Sequence, residues 1–218
     1  MTINRVSAIP GPHAGQPIRV VGESLATAKA AMVLAHGRGA TAEDILSLVS
    51  EFNQPGFVYL APQAAGNSWW PNRFMDPIPS NEPWFSSALA VIEDVLAQLA
   101  GGGIPAERTL LLGFSQGACL VTEFAARNAK RYGGIVGLSG GLFGPEGTPR
   151  DYPGSLDGTP VFLGCSDVDF HIPKARVDET AQVLQRMGAD VTERLYPGMG
   201  HTINQDEIEF VRGMMTGI

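Results

Sequence analysis

Cysteine is scarce in this sequence, and so are clusters of basic residues. The 2 cysteines among 218 residues, Cys119 and Cys165, are too few for a disulfide framework and lack the spacing of metal ligands, so we expect two reduced, buried thiols. The 15 lysines and arginines are outnumbered by 22 acids, which gives a net charge of −7, and no basic run is longer than Lys130-Arg131. We therefore expect no nucleic-acid partner, because binding to a phosphate backbone depends on a positive face.

Hydrophobic runs of membrane length are missing as well. The longest apolar stretches, such as residues 31–35, fall far short of the roughly 20 residues that a membrane span needs. Residues 1–12 contain no hydrophobic segment of the kind found in signal peptides. We therefore expect a soluble, cytoplasmic protein with no membrane span.

Glycine and proline, in contrast, are abundant. The 27 glycines and 16 prolines have no collagen-like period and predict many tight loops. The remaining composition, 44% hydrophobic and 17% charged, is that of an ordinary globular protein. A chain of this length buries roughly 70% of its unfolded surface on folding. Because no repeat or linker divides it, we predict one domain over residues 1–218.

Short apolar runs alternate with amphipathic stretches along the chain. Most of these runs are continuously apolar, which is typical of parallel strands that are covered on both faces. Helices between such strands imply right-handed crossovers and a mostly parallel, doubly wound α/β sheet, with function at the carboxyl ends of the strands. The predicted strands are 18–21, 31–35, 57–61, 109–113, 134–138, 160–165 and 191–196, and the predicted helices are 41–51, 84–99, 115–131, 174–187 and 205–215.

Two segments match the pattern Gly-x-Ser-x-Gly, one around Ser115 and one around Ser139. A nucleophilic serine in this pattern needs a strand before it and a helix after it, since the sharp turn between them exposes the hydroxyl. Ser115 has both neighbours, whereas the glycines and prolines that follow Ser139 are incompatible with a helix. We predict that Ser115 is the nucleophile and that Ser139 is a loop residue near the site.

Four histidines are candidates for the base that would activate this serine. His201 follows the last predicted strand and precedes the last helix, which agrees with the chain order serine, acid, histidine. His171 is the alternative, although no strand with an acid at its end would then precede the histidine. We expect His13 at the surface, and His36 in a turn that it shapes by hydrogen bonding.

Two aspartates, Asp167 and Asp169, follow the sixth predicted strand. One of them should accept a hydrogen bond from Nδ1 of His201, which would fix the tautomer of the ring. The other would cap the loop through bonds to nearby amides. Spacing alone does not choose between them.

An oxyanion formed by attack of the serine needs preorganised N–H donors. We assign one donor to the backbone N–H of Gln116, which follows the serine. The second is assigned to the backbone N–H of Arg38, in the HGRG loop at 36–39 after an early strand. A phosphate-binding loop is the alternative here, but the Walker spacing and its lysine are missing.

Together, these motifs resemble the phospholipase/carboxylesterase family of α/β-hydrolases, small esterases without a lid that include acyl-protein thioesterases and bacterial carboxylesterases. The resemblance extends from Ala31 onward. It rests on HGRGA at 36–40, APQ at 61–63, WW at 69–70, GFSQGA at 113–118, LSG at 138–140, DFHIP at 169–173 and GH at 200–201. It implies an α/β-hydrolase fold, a single domain without a large cap.

The resemblance also implies a choice between the two aspartates. In this family the acid stands in the pattern D-x-x-[IV]-P, which selects Asp169 for a triad with Ser115 and His201. The family also has a glycine three residues before the acid, and this spacing fits Gly164 and Asp167 instead. Relative to the family pattern, the loop therefore resembles one with two residues inserted. The arginine at position 38 of the HGRG loop resembles the residue that a bacterial branch of these esterases has at this position.

An aromatic segment after the third predicted strand is a candidate substrate pocket. We predict that Trp69, Trp70 and Phe74 bind substrate and that Leu142 forms a further wall. For Trp84 and Phe85, a position in the core is an equal alternative.

The leading hypothesis for function is a serine carboxylesterase that hydrolyses small-molecule esters with short to medium acyl chains through an acyl-enzyme. This mechanism requires no metal and no other cofactor. A thioesterase or lysophospholipase with the same triad is the alternative, followed by a noncatalytic ligand-binding α/β-hydrolase. A dienelactone hydrolase would have a cysteine in place of Ser115. Related small esterases often form dimers, so that a homodimer is one alternative for the oligomeric state.

Overall fold

A seven-stranded sheet runs through the protein, and six of its strands are parallel to one another. The computed structural model describes residues 3–52 and 54–218. The strand order is β1-β3-β2-β4-β5-β6-β7, with β1 antiparallel to β3. In chain order the strands are Ile18–Gly22, Ala30–Ala35, Phe57–Pro62, Thr109–Phe114, Gly134–Leu138, Pro160–Ser166 and Asp190–Tyr196. All seven predicted strands are confirmed, with ends that agree to within one residue.

The helices between the strands also match the prediction, with two differences. The predicted helix 41–51 is divided in two, because the hydroxyl of Ser47 donates to the carbonyl of Asp44 (2.7 Å) and competes with the helical pattern. The predicted helix 115–131 ends at Arg127, where the side chain of Asn128 bonds the carbonyl of Phe124. No helix in the described ranges is both long and apolar enough to cross a bilayer. Helices α1 to α6 are Ala42–Leu46, Val49–Phe52, Trp84–Gly101, Gln116–Arg127, Lys174–Arg186 and Gln205–Met215.

Alternate residues of the central strands belong to two separate hydrophobic cores. In β2, Ala31 and Val33 face the core that α3, α4 and α5 cover, whereas Met32 and Leu34 face the core that α1, α2 and α6 cover. Every residue of β2 is buried. This two-sided burial explains the continuously apolar runs and confirms the doubly wound α/β architecture.

Two expectations about single side chains have opposite outcomes. Cys119 and Cys165 are both buried and unpaired, as expected, and burial raises the pKa of each thiol to about 12. The prediction that His13 lies at the surface is wrong. The segment before β1 folds back onto the loop after β3, so that His13 is fully buried between the rings of Trp69 and Trp84.

The first turn of α4 packs directly against the backbone at the end of β2. A Cβ atom on Gly117 would lie 2.0 Å from the carbonyl oxygen of Ala35, and one on Gly113 would lie 2.2 Å from the backbone of Gly117. Both distances are far below van der Waals contact. Glycine at these positions therefore allows β4, β2 and α4 to meet at the carboxyl edge of the sheet.

Helix α6 begins with a capping box that contains a buried acid. The side chain of Asn204 accepts from the N–H of Glu207, and Oε2 of Glu207 accepts from the N–H of Asn204 (2.8 Å). Within the described part of the chain, Oε1 of Glu207 is buried without a hydrogen-bond partner. Burial raises the pKa of Glu207 to about 7, and the bond from Asn204 offsets only part of that effect.

Glu207 should make the stability of the protein depend on pH. Because its pKa in the folded protein is raised above the unfolded value of about 4.3, its contribution is complete below that pH and is lost as the pH rises through about 7. Each pKa unit corresponds to about 1.4 kcal/mol, so that the loss is roughly 4 kcal/mol at most. Urea unfolding between pH 4 and 8 should show a flatter decline for Glu207→Gln than for wild type.

The exposed acid Glu209, on the same helix, supplies the control. Glu209→Gln should leave the slope of the wild type unchanged. An equal slope in wild type and Glu207→Gln would show that the buried carboxyl does not titrate in this range.

Candidate active site

Ser115 occupies the sharp turn between β4 and α4. Its backbone has φ +55° and ψ −118°, a left-handed conformation that is unusual for a residue with a side chain, and its N–H is held by the carbonyl of Leu138 (2.9 Å). The residue is half-buried and lines a pocket at the carboxyl edge of the sheet. The structure therefore presents this hydroxyl to a cavity, as expected from the strand and helix around it.

A chain of hydrogen bonds connects Ser115, His201 and Asp169. The ring atom Nε2 of His201 lies 2.8 Å from Oγ of Ser115, and Nδ1 lies 2.6 Å from Oδ2 of Asp169. The side chain of Asp169 is fully buried, whereas that of His201 is 21% exposed. These three side chains come from the ends of β4, β6 and β7, which the parallel sheet brings to one edge.

The carboxylate of Asp169 is held in its ionised form by several donors. Its Oδ1 accepts from the N–H groups of His171 (2.8 Å) and Ile172 (3.0 Å). Burial alone would raise the pKa of Asp169, but the bonds from His201 and these two amides outweigh burial and lower it. The carboxylate is therefore suited to orient the ring of His201 and to stabilise its positive charge.

Asp167 has a different position. It is exposed, and its Oδ1 accepts from the N–H of Gly198 (2.8 Å), in the loop that leads to His201. Of the two aspartates that the sequence left open, the structure thus brings Asp169 to His201 and uses Asp167 to connect two loops.

The other candidates from the sequence lie outside the hydrogen-bonded chain. Ser139 is fully buried. His36 is buried as well, and burial lowers its pKa. Its Nδ1 is bonded to the carbonyl of Gly37 and its Nε2 to the N–H of Ala64, which agrees with a role in shaping its turn. His171 is exposed at the pocket, with its ring centroid 4.8 Å from that of His201.

Two backbone N–H groups near Ser115 are free to bind an anion. Within the described ranges, the backbone N–H of Arg38 and that of Gln116 donate no hydrogen bond to any loop, turn or cap of the protein. Gln116 begins α4, so that its N–H also has no partner within the helix. These are the two donors that the sequence assigned to an oxyanion site.

The side chains of the same two residues hold the pocket loop, a role that the sequence analysis missed. Oε1 of Gln116 accepts from the N–H of Trp69 (2.8 Å), and its Nε2 donates to the carbonyl of Trp70 (2.9 Å). The guanidinium of Arg38 donates to the carbonyls of Pro71 (2.6 Å) and Asn72. No sequence signal identifies these partners, because they depend on contacts between distant segments.

The pocket beside Ser115 has a volume of about 440 Å³ and differs in part from the predicted one. Trp70 and Phe74 line it, as predicted. Trp69 and Leu142 do not: both are fully buried in the core, where Nε1 of Trp69 bonds the carbonyl of His36 and Leu142 lies among the residues under α3, α4 and α5. Lining residues that were not predicted are Pro71, Asn72, Arg73, Asp76, Cys119, His171 and Ile172. The first four follow Trp70 closely in the chain, and that proximity is the signal that could have identified them.

Clusters of metal ligands are not found in the described ranges. No three His, Cys, Asp or Glu side chains there are grouped so that they could hold a metal ion.

The chain is similar to several known proteins. Residues 16–216 match the phospholipase/carboxylesterase family. Acyl-protein thioesterase 1 of Gibberella zeae is 32% identical over 125 residues, which cover 56% of this chain and 53% of that protein. Acyl-protein thioesterase 1 of Neurospora crassa is 30% identical over 141 residues, which cover 62% and 56%. The chain thus matches these curated relatives over little more than half of their length.

Solved structures extend the similarity to the fold. The crystal structure of a phospholipase/carboxylesterase from Dyadobacter fermentans has a TM-score of 0.89 and 43% identity, over 93% of this chain and 97% of that one. Esterase PE8 has a TM-score of 0.77 and 25% identity, over 92% and 97%. This chain therefore belongs to the phospholipase/carboxylesterase family of hydrolases and has their α/β-hydrolase fold.

Proposed function

We propose that this protein is a serine carboxylesterase that hydrolyses small esters with short to medium acyl chains. The observation that carries the proposal is the chain of hydrogen bonds from Ser115 through His201 to Asp169, with distances of 2.8 Å and 2.6 Å. This arrangement has the geometry of a nucleophile, a general base and an orienting acid. The family membership supports hydrolysis as the reaction class.

In the first half of the reaction, Oγ of Ser115 attacks the ester carbonyl while Nε2 of His201 takes its proton. The negative charge that develops on the carbonyl oxygen is stabilised by the N–H groups of Arg38 and Gln116. The C–O bond to the alcohol then breaks, and His201 gives its proton to the leaving oxygen. Asp169 stabilises the imidazolium throughout and keeps Nδ1 protonated.

In the second half, water hydrolyses the acyl-enzyme. His201 removes a proton from the water as it attacks the acyl carbonyl, and the same two N–H groups stabilise the second oxyanion. The bond to Oγ breaks, Ser115 regains a proton from His201, and the carboxylic acid leaves. The two half-reactions together consume one ester and one water and release one alcohol and one carboxylic acid.

The pocket volume of about 440 Å³ supports a small substrate. Its wall at Trp70 is closed by two further rings, since Trp70 packs edge-on against Phe143 at 4.9 Å and Phe85 at 5.7 Å between centroids. This closed wall favours short to medium acyl chains. The net charge of −7 argues against a nucleic-acid substrate, and the homodimer stays a prediction of the family resemblance alone.

A thioesterase is the second candidate, because the relatives from Gibberella zeae and Neurospora crassa are named acyl-protein thioesterase 1. The same three side chains would cleave a thioester by the same steps. Rates on an oxygen ester and a thioester with the same acyl group separate the two functions.

The identity of the nucleophile is tested with a fluorophosphonate probe and a nitrophenyl ester. Ser115→Ala should lose the probe adduct in intact mass and at least about 10⁴-fold in kcat, because the covalent route disappears. Ser139→Ala, which changes a buried serine outside the hydrogen-bonded chain, should keep both the adduct and most of the activity. Wild-type protein that gains no adduct and hydrolyses no ester would exclude the enzyme and favour a ligand-binding protein.

The role of Asp169 is tested by removing its charge. Asp169→Asn should lower kcat by about 10⁴-fold with little change in melting temperature, because the amide favours the wrong tautomer of His201. Asp167→Asn is the matched control: its side-chain oxygen can still accept from Gly198, so that stability should change by less than about 1 kcal/mol and activity should stay. Comparable losses of activity in the two variants would contradict the assignment.

The limit on acyl length is assigned to Trp70. Trp70→Leu should raise the ratio of kcat/KM for a nitrophenyl octanoate over a butyrate, because the pocket gains depth toward Phe143. Trp84→Leu, which changes a ring outside the pocket lining, should leave this ratio as in wild type. A ratio that does not move in Trp70→Leu would remove this residue from the acyl site.

A further inference from the structure

The pocket carries more positive than negative charge, although the protein as a whole is acidic. Two arginines, Arg38 and Arg73, line the cavity that contains Ser115, against one acidic residue, Asp76, because the carboxylate of Asp169 is buried outside the lining in its bond to His201. The chain as a whole has a net charge of −7. An excess of positive charge in a cleft of such a protein is a local feature that selects for a ligand of opposite charge.

Neither of these arginines has a carboxylate partner within the described ranges. The ion pairs found there involve Arg19, Arg127, Arg150, Arg176 and Arg194, together with Lys174 and His201. The two arginines of the pocket thus belong to the arginines of this protein that form no ion pair within the described ranges. Their charge is available to a bound molecule.

Arg38 is held in place by neutral groups. Its two terminal nitrogens donate to the carbonyls of Pro71 and Asn72, which fix the plane of the guanidinium but do not neutralise it. A guanidinium has five N–H donors, so that three remain free after these two bonds. A cation fixed in this way, on a residue that lines the same pocket as Ser115, loses little entropy when an anion binds.

Arg73 completes the positive side of the pocket. Its backbone N–H donates to Oδ2 of Asp76 (2.9 Å), whereas its side chain makes no hydrogen bond to the described part of the chain. Asp76 therefore has a local role in closing this turn. The guanidinium of Arg73 is exposed and free to approach a ligand.

From this arrangement we infer that the preferred substrates are acidic esters, in which a second group of the same molecule, a carboxylate or a phosphate, binds to Arg38 and Arg73. The inference rests on the proposed esterase function and specifies its substrate class. Guanidinium groups bind both anions through paired N–H donors, so that the chemistry is shared between the two. The volume of about 440 Å³ accommodates a small molecule of this kind.

Half-esters of dicarboxylic acids test the inference with a matched neutral control. At neutral pH, monomethyl succinate, glutarate and adipate each carry one carboxylate, whereas the corresponding dimethyl esters carry none. We expect kcat/KM per ester bond, measured as methanol release, to be at least about fivefold higher for the best half-ester than for its diester, mainly through KM. This preference should diminish near 1 M salt, where the Debye length is about 3 Å.

A second pair of substrates identifies the anion. Acetylglycerol and acetylglycerol phosphate differ only in the phosphate group. A kcat/KM at least about fivefold higher for the charged member of either pair supports the inference. The pair that shows this difference identifies whether the bound anion is a carboxylate or a phosphate. Equal or lower kcat/KM for the charged member of both pairs overturns it.

Variants of the pocket charges give opposite expectations. Arg73→Gln should lower the ratio of kcat/KM for charged over neutral ester by about threefold, and Asp76→Asn, which keeps an acceptor for the N–H of Arg73, should raise it. Arg186→Gln makes the same charge change at an exposed position of α5, outside the pocket lining, and should leave the ratio as in wild type. Equal shifts in Arg73→Gln and Arg186→Gln would show that only net charge matters and would overturn the site.

Failure of this inference is distinguishable from failure of the proposed function. If wild-type protein hydrolyses the diesters and is labelled by the fluorophosphonate at Ser115 but does not favour the half-esters, the esterase stands and the acidic substrate is wrong. If it neither reacts with the probe nor hydrolyses any of the esters, the proposed function itself is wrong.

Discussion

The contact between the first turn of α4 and the end of β2 is the constraint on which the site depends. Gly117 lies so close to the carbonyl of Ala35 that any side chain at this position would collide with the backbone. The same contact brings the HGRG loop beside Ser115 and leaves the N–H groups of Arg38 and Gln116 without protein acceptors in the described ranges. Because the contact joins two strands and a helix of the core, these groups are held in place by the fold itself.

The loops after β6 and β7 extend this fixed geometry to Asp169 and His201. Asp169 is held by two backbone amides, and Asp167 connects its own loop to the loop of His201 through Gly198. Beyond His201, the capping box of α6 holds the end of that loop. Each of the two loops is thus bonded on both sides of the residue that it presents, which limits the positions available to the His201 ring.

The pocket wall and the anion-binding N–H groups form one structural unit. Arg38 and Gln116 each present a free backbone N–H near Ser115, and each uses its side chain to hold the loop of Trp70 and Asn72. Binding and oxyanion stabilisation therefore rest on the same two residues. For Arg38 this also means that the side chain fixing the loop places an unneutralised charge in the pocket.

The sequence by itself determined the elements with strong local signals. Continuous apolar runs defined most of the seven strands, since a strand covered on both faces has no polar side, and the strand and helix around Ser115 distinguished it from Ser139. It also placed Asp169 and His201 after the strands whose ends meet Ser115. It did not determine where the first predicted helix is interrupted, because the hydroxyl of Ser47 changes the local bonding in a way that hydrophobic periodicity does not record.

Only the tertiary structure decided which way neighbouring side chains face. Trp69 and Trp70 are adjacent in the chain and both are fully buried in the same core, yet Trp70 also lines the pocket and Trp69 does not. His13 is buried because a segment far away in sequence folds over it, and Asp167 contacts Gly198 while Asp169 contacts His201. These outcomes depend on packing between distant segments, whereas periodicity and motif spacing report only on the chain near each residue.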